Sequence, residues 1–308
     1  MSSRKAAYVT LLTRETYLAG ALVLNHGLRA VKSKYALVAM ITPSLPADAR
    51  IILLKHSIHL REIEPLKPGA SKHSLDPYDT RFEDTWTKLR GFELDEYDRI
   101  VLLDCDMIIK RNMDELFDME LPKDEIAAAH VCACNPRNLS HYPADWKPDN
   151  CAHSAVTHPT ASPPSPTKGN LRPYSQLNSG TVVINPSKHI AREIYNYLAT
   201  SKDVSTFSFP DQDLLAAFFK GKWRPIRWYY NALKTLRHLH PQEWSDDEVR
   251  CVHYIFPDKP WQRRVTSEEL YRVLHNWWWE QFDELGNEMK IVDPEGWHFV
   301  LSTVNTSG

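Results

Sequence analysis

Residues 100–118 read IVLLDCDMIIKRNMDELFD, and the first half of this run decides the fold. Ile100, Val101, Leu102 and Leu103 form an apolar strand with no polar alternation, so both of its faces are buried, as in a sheet covered by helices on each side. The strand runs directly into Asp104, Cys105 and Asp106. Residues two apart on a strand point the same way, so the spacing predicts that Asp104 and Asp106 converge while Cys105 faces away. Two carboxylates that close cost free energy unless a cation compensates them. A buried Lys or Arg would serve, and so would a divalent metal, which leaves coordination positions for a ligand's oxygens. A merely solvated strand end is the plainer alternative.

Working outward, strand and helix alternate from the start of the chain. Ala6–Leu12 reads as a strand, Thr16–Val31 as a helix, Lys34–Ile41 as a strand, Ala47–Lys55 as a helix and His59–Pro65 as a strand. Asp84–Phe92 then reads as a helix leading into the apolar run. This alternation predicts an α/β fold with parallel pairings, whose ligands bind outside the carboxyl ends of the strands. Downstream, residues 125–134 (EIAAAHVCAC) and 178–187 (NSGTVVINPS) read as strands, His189–Thr200 and Asp211–Phe219 as helices, and 249–256 (VRCVHYIF) as a late strand. A tail helix is expected over Ser267–Leu285, carrying Trp277, Trp278 and Trp279, which cannot all face one core. Between about 135 and 177 periodicity vanishes and prolines punctuate the chain, so this stretch is either a surface insertion or a loop over a site.

Composition narrows the classes. The chain has 308 residues, 43% hydrophobic and 25% charged, which is ordinary globular usage. A formal net charge of −2 provides no general attraction to nucleic acid or to an anionic membrane. No run is long and apolar enough for a membrane span, and the first residues lack the apolar core of a signal peptide. Five cysteines, Cys105, Cys132, Cys134, Cys151 and Cys251, fit reduced thiols in a cytoplasmic protein better than a disulfide framework. Cys132 and Cys134, with Cys151 and His153 further on, invite a zinc reading, but the spacing is not a double Cys-x-x-Cys and two packed thiols in a strand are simpler.

His253 in the late strand adds a neutral imidazole to the two carboxylates, and that mixed set of oxygen and nitrogen ligands suits Mn²⁺ better than Ca²⁺ or Mg²⁺. A structural imidazole is the alternative. Lys259 follows six residues later, a compact cation suited to phosphates.

The ordered set of motifs resembles glycosyltransferase family 8, retaining enzymes that include glycogenin and galactinol synthase. The resemblance rests on residues 8–38 (YVTLLTRETYLAGALVLNHGLRAVKSKYALV), 86–118 (WTKLRGFELDEYDRIVLLDCDMIIKRNMDELFD), LNSGTVVINPS, DQDLLAAFF, WYYNALKTLRHLHP and VHYIFPDKPW, and the VKSKY wording is closest to galactinol synthases. It implies a GT-A fold: a Rossmann-like mixed sheet flanked by helices, with one continuous catalytic domain over residues 1–308 that includes a helical extension from about 265 to 308. It also implies Mn²⁺ held by Asp104, Asp106 and His253, and a UDP-hexose donor, with glucose or galactose as the sugar. Leu11, Thr13 and Tyr17 match positions that hold uracil and ribose, Lys88 matches a lysine near the donor, and Lys259 matches the diphosphate contact. Asn178, Ser179, Gly180, Asp211 and Gln212 match the wall around the transferred sugar. Cys105 and Phe256 lie inside the donor-binding motifs, and Phe256 stands where the family has glycine. Asp211, Gln212 and Lys259 are the residues expected to act on the reacting bond.

Two further departures matter. His130 stands where many members have an Asp, and His238 stands near the tyrosine that glycogenin modifies. A separate acceptor is therefore expected: a glycan, a glycoprotein or a polyol such as myo-inositol. A homodimer is implied by the resemblance alone. Retention implies either front-face attack or double displacement. The rival readings are a non-catalytic nucleotide-sugar or protein-binding module of the same fold, and a Mn²⁺-dependent phosphohydrolase or nucleotidyltransferase.

Overall fold

The computed structural model describes residues 4–69, 73, 75, 80, 82–264 and 269–306. Its main sheet has seven strands: β1 (Ala6–Leu12), β2 (Leu37–Ile41), β3 (His59–Glu62), β4 (Arg99–Leu103), β6 (Ile126–His130), β7 (Leu177–Ile184) and β8 (Trp223–Pro225), in the order β3-β2-β1-β4-β7-β6-β8. The first four are mutually parallel, while β7 runs antiparallel to both β4 and β6. The chain moves outward from β1 through β2 to β3 and returns to β4 on the other side of β1. That reversal makes the crevice above β1 and β4 the place where such a sheet receives a ligand.

Alternate residues explain the layers. Tyr8, Leu12, Val101 and Leu103 enter the core beneath α1 (Leu18–Ala30), and Ala7, Val9, Ile100 and Leu102 enter a second core shared with α3 (Lys188–Thr200) and α4 (Pro210–Phe218). The apolar strand is thus buried on both faces, as its lack of alternation predicts.

A second, three-stranded sheet joins β5 (Met107–Ile109), β9 (Ala232–Leu233) and β10 (Cys251–His253), with β10 central. The expected late strand of residues 249–256 contracts to these three residues, because Phe256 takes a left-handed backbone at φ 72° that no strand continues through. The expected helix at residues 84–92 is instead a 3-10 segment, Thr85–Glu93. Its apolar anchors Trp86, Leu89 and Phe92 are all buried and are spaced by three, so three residues per turn aligns them on one face where an α-helix would not.

The Pro-rich stretch holds only short 3-10 turns, yet Tyr142, Trp146, Cys151, His153 and Tyr174 within it are buried. The tail helix α6 spans Arg272–Val292, starting later and ending later than expected, and residues 267 and 268 of the expected span lie outside the described residues. A stripe of Trp278, Phe282, Leu285 and Met289 at helical spacing is buried against the core, together with Trp279. Trp277 stays at the edge under the Lys110 ammonium, 4.6 Å from its ring centre.

His275 in α6 is buried between Tyr254 and Tyr271, and its Nε2 has no hydrogen-bond partner. Burial, aided by Lys234, pushes it down to about 3. An unfolded histidine titrates near 6.5, so below that pH the unfolded chain takes up a proton that the folded chain refuses, and stability falls as pH drops. His275→Leu should therefore lose about 2 kcal/mol less than wild type between pH 7 and pH 4.5 in urea unfolding; equal losses would contradict the assignment.

Candidate active site

β4 ends at Leu103, so Asp104 and Asp106 are not aimed by strand alternation. A turn aims them: the Asp104 amide donates to the Gly180 carbonyl on β7 at 3.1 Å, and Cys105 and Asp106 then swing the chain into β5. The Cys105 thiol points away, bonding Thr10 Oγ1 at 3.1 Å and the Leu11 carbonyl at 3.0 Å, which ties the turn to β1. Gly20 lets α1 approach, because a Cβ there would stand 2.3 Å from the Cys105 carbonyl oxygen.

The second sheet delivers the imidazole. Antiparallel pairing sets His253 opposite Met107, and the Tyr254 amide donates to the Asp106 carbonyl at 2.9 Å. His253 Nε2 lies 3.3 Å from Asp106 Oδ1 and 3.6 Å from Asp104 Oδ2. One ligand atom from each of the three residues falls within 4.8 Å of the others. His253 Nδ1 donates to Asn231 Oδ1 at 2.9 Å, Asn231 Nδ2 donates to Asn178 Oδ1 at 2.7 Å, and Asn178 Nδ2 donates to Gln212 Oε1 at 3.1 Å. This chain holds the Nδ1 proton away from the carboxylates, so Nε2 faces them with its lone pair, the orientation a metal ligand needs. Two carboxylate oxygens and an imidazole nitrogen fit a borderline divalent ion.

Gly180 permits the arrangement: a Cβ there would stand 2.4 Å from the His253 ring. Gly180→Ala should displace the imidazole and weaken divalent-ion binding at this site about 10- to 100-fold, read with Mn²⁺ as the probe from the paramagnetic signal of the free ion. Unchanged binding would remove His253 from the ligand set.

Two lysines share the carboxylates. Lys88 Nζ lies 2.6 Å from Asp104 Oδ1, 3.1 Å from Asp211 Oδ2 and 2.8 Å from the Ser179 carbonyl. Lys259 Nζ donates to Asp106 Oδ2 and, at 2.7 Å, to the Tyr254 carbonyl. Burial pushes Asp106 up, but Lys259 and then His253 outweigh it and hold the carboxyl well below its usual range. Asp104 is raised instead, because burial exceeds the opposing pull of Lys88 and His253. Burial would lower Lys88, yet Asp104 and Asp211 keep it raised and charged.

The donor-site residues that the resemblance implies, except Gly180, all line one cleft: Leu11, Thr13, Tyr17, Lys88, Asp104, Cys105, Asp106, Asn178, Ser179, Asp211, Gln212, His253, Phe256 and Lys259. Gly180 stands behind it, under His253. Asp211 and Gln212 sit in the first turn of α4, whose entry is fixed by Asp213 accepting from the Ser208 and Phe209 amides, each at 2.9 Å. Gln212 Nε2 is a buried donor with no partner. Phe256 keeps the left-handed backbone natural to glycine, at a strain of about 1–2 kcal/mol, and its ring packs under the Arg137 guanidinium at 4.1 Å. His130 is buried away from the cleft wall, bonded to the Pro164 carbonyl at 2.9 Å.

The sequence reading missed Asp84, which accepts from Thr13 Oγ1 at 3.2 Å and from Arg14 Nε at 2.8 Å at the cleft mouth, and it missed Asn231. Asn231 lies inside the WYYNAL motif, which is the signal that pointed to it. Asn135, Pro136, Tyr142 and Trp146 bring the Pro-rich stretch to the cleft, so it forms a wall of the site rather than a remote insertion.

Comparison with known proteins returns the same grouping. Residues 8–264 match the family model Glycosyl transferase family 8. Galactinol synthase 1 of Solanum lycopersicum is 32% identical over 280 residues, covering 88% of this chain and 80% of that one. Galactinol synthase 2 of Arabidopsis thaliana is 32% identical over 296 residues, covering 94% and 84%. Among solved structures, a bifunctional glycosyltransferase, WbbM, superposes with a TM-score of 0.63 at 15% identity over 94% of this chain and 51% of that one. The galactosyltransferase LgtC, solved with donor and acceptor sugar analogues, gives 0.58 at 16% identity over 96% of this chain and all of that one. These structural likenesses establish the GT-A fold.

Proposed function

The chain belongs to glycosyltransferase family 8, and from that premise we propose that it moves glucose or galactose from a UDP-sugar to a hydroxyl of a separate acceptor, with retention of configuration and with Mn²⁺ at Asp104, Asp106 and His253. The observation that carries this reading is the joining of that triad with Lys88, Lys259 and Asp211 around one cleft. No helix among the described residues is long and apolar enough to cross a membrane, and all five cysteines are free, which supports a cytoplasmic setting.

In this reading Leu11, Thr13 and Tyr17 face the nucleoside, Lys259 faces the diphosphate, and Asn178, Asp211 and Gln212 face the sugar. As the bond from sugar C1 to the phosphate oxygen breaks, negative charge grows on the diphosphate and positive charge on the ring. When bound, Mn²⁺ supplies positive charge against the leaving diphosphate. Lys259 adds a second cation there, preorganised by Asp106 and the Tyr254 carbonyl. Asp211, its charge balanced by Lys88, sits where it opposes the positive charge on the ring, and the spare donor of Gln212 binds a sugar hydroxyl. The likeness to galactinol synthases supports a polyol such as myo-inositol as the first acceptor to test, ahead of a glycan or glycoprotein, with Trp146 and Tyr142 taken as the acceptor side.

The test is UDP release from a panel of UDP-sugars with Mn²⁺, with and without myo-inositol. Acceptor-stimulated release of UDP from one donor supports the reading and identifies the sugar. Release of UMP makes the protein a phosphohydrolase, and donor binding without turnover makes it a binding module.

A further inference from the structure

A second convergence of ligand-type side chains lies behind the cleft wall. Cys132 and Cys134 follow β6, Cys151 ends the 3-10 turn Pro148–Asn150 in the Pro-rich stretch, and His240 caps the short helix α5 (Leu236–Leu239). His240 Nε2 lies 3.6 Å from Cys132 Sγ, 3.2 Å from Cys134 Sγ and 3.6 Å from Cys151 Sγ. All four donor atoms fall within 4.8 Å of one another, and all four residues are buried.

A hydrogen-bonded cluster does not require this geometry. One imidazole nitrogen carries at most one proton, so it satisfies one of three sulfurs. A tetrahedral ion with bonds of about 2.3 Å to sulfur and about 2.05 Å to nitrogen sets each sulfur about 3.6 Å from the nitrogen. Disulfide chemistry does not account for it either, since all three thiols are free. The sequence placed His153 beside the cysteines, but His153 turns to Glu243, with Nδ1 2.8 Å from Oε2, and to the His130 carbonyl, 3.1 Å from Nε2. The Glu243 amide in turn donates to the His240 carbonyl at 3.0 Å, so this pair braces the turn that presents the fourth ligand.

We propose that Cys132, Cys134, Cys151 and His240 hold a structural Zn²⁺, separate from the carboxylate centre. Three soft thiolates and an imidazole select zinc over Mn²⁺, the reverse of the preference of Asp104, Asp106 and His253. Four protein ligands leave no coordination position open, so the ion is structural and does not act on substrate. Its work is to fasten the Pro-rich stretch, through Cys151, to the end of β6 and to α5. Cys132 itself lines the cleft beside Val131, so the ion sets the position of the wall that Asn135, Tyr142 and Trp146 continue.

Zinc content measured by plasma emission on the full chain, purified without added metal, tests this. Wild type and Asp106→Asn should each carry one zinc per chain and Cys151→Ser none, which separates this site from the carboxylate centre. Should the serine variant fail to fold, wild type exchanged with Co²⁺ decides: intense thiolate-to-cobalt charge transfer with tetrahedral d–d bands supports the site. Wild type that contains no zinc, takes up none when it is supplied, and shows no thiolate–cobalt bands overturns the proposal, as does a disulfide among the three cysteines in freshly purified protein.

Discussion

Asp106→Asn is expected to lower sugar transfer about 10²- to 10³-fold, the magnitude seen when one preorganised charge-stabilising group is removed from an active site. The variant turns one carboxylate oxygen into an NH₂ that cannot ligate, so the anionic ligand beside His253 Nε2 is lost, and it also removes the counter-charge of Lys259, whose side chain is buried. The two losses are separable. Mn²⁺ binding, followed by the signal of the free ion, should weaken in parallel with transfer. Stability should fall as well, because Lys259 is left buried beside a neutral amide. Adding Lys259→Met to Asp106→Asn should then restore part of the stability without restoring transfer, since contacting residues are not additive. Full activity with undiminished Mn²⁺ binding in the single variant would reduce Asp106 to a structural partner of Lys259.

Lys88→Met should cost about 3–5 kcal/mol of stability at neutral pH, because it strands charged partners in a buried site. One ammonium serves Asp104 at 2.6 Å and Asp211 at 3.1 Å, and Asp104 is already raised by burial with the lysine in place. Without the lysine the folded-state Asp104 carboxyl moves further up. The folded chain then binds protons that the unfolded chain releases above about pH 4, so the deficit is fully present at neutral pH and shrinks as pH falls toward 5. Urea midpoints of variant and wild type at pH 7.5 and pH 5 measure this. A deficit below about 1 kcal/mol that ignores pH would mean that these charges behave as a solvated surface pair.

Both predictions depend on contacts that differ in how far the sequence reveals them. The apolar run before Asp104 reports its own burial because it lacks polar alternation, and the alternation of strands and helices reports a parallel sheet because each pattern has its own period. Trp86, Leu89 and Phe92 show where this fails: spacing by three suits a 3-10 turn, and their position looked helical only because a short segment cannot separate the two periods. The pairing of Asp104 with Asp106 was legible, but the reason was a turn anchored on Gly180 and not the pleat of a strand.

The sequence by itself therefore determined the fold class, the family and the residues that gather at the cleft, since those rest on local periodicity and on motifs read in order. Tertiary structure decided which groups meet. The antiparallel pairing of β5 with β10 brings His253 to Asp106, Lys88 divides itself between two carboxylates, and His240 rather than His153 completes the cysteine cluster. Each of these contacts joins segments far apart in the chain. Their partners are chosen by sheet pairing and by the need to neutralise or bond buried polar groups, and neither constraint leaves a trace in the spacing of neighbouring residues.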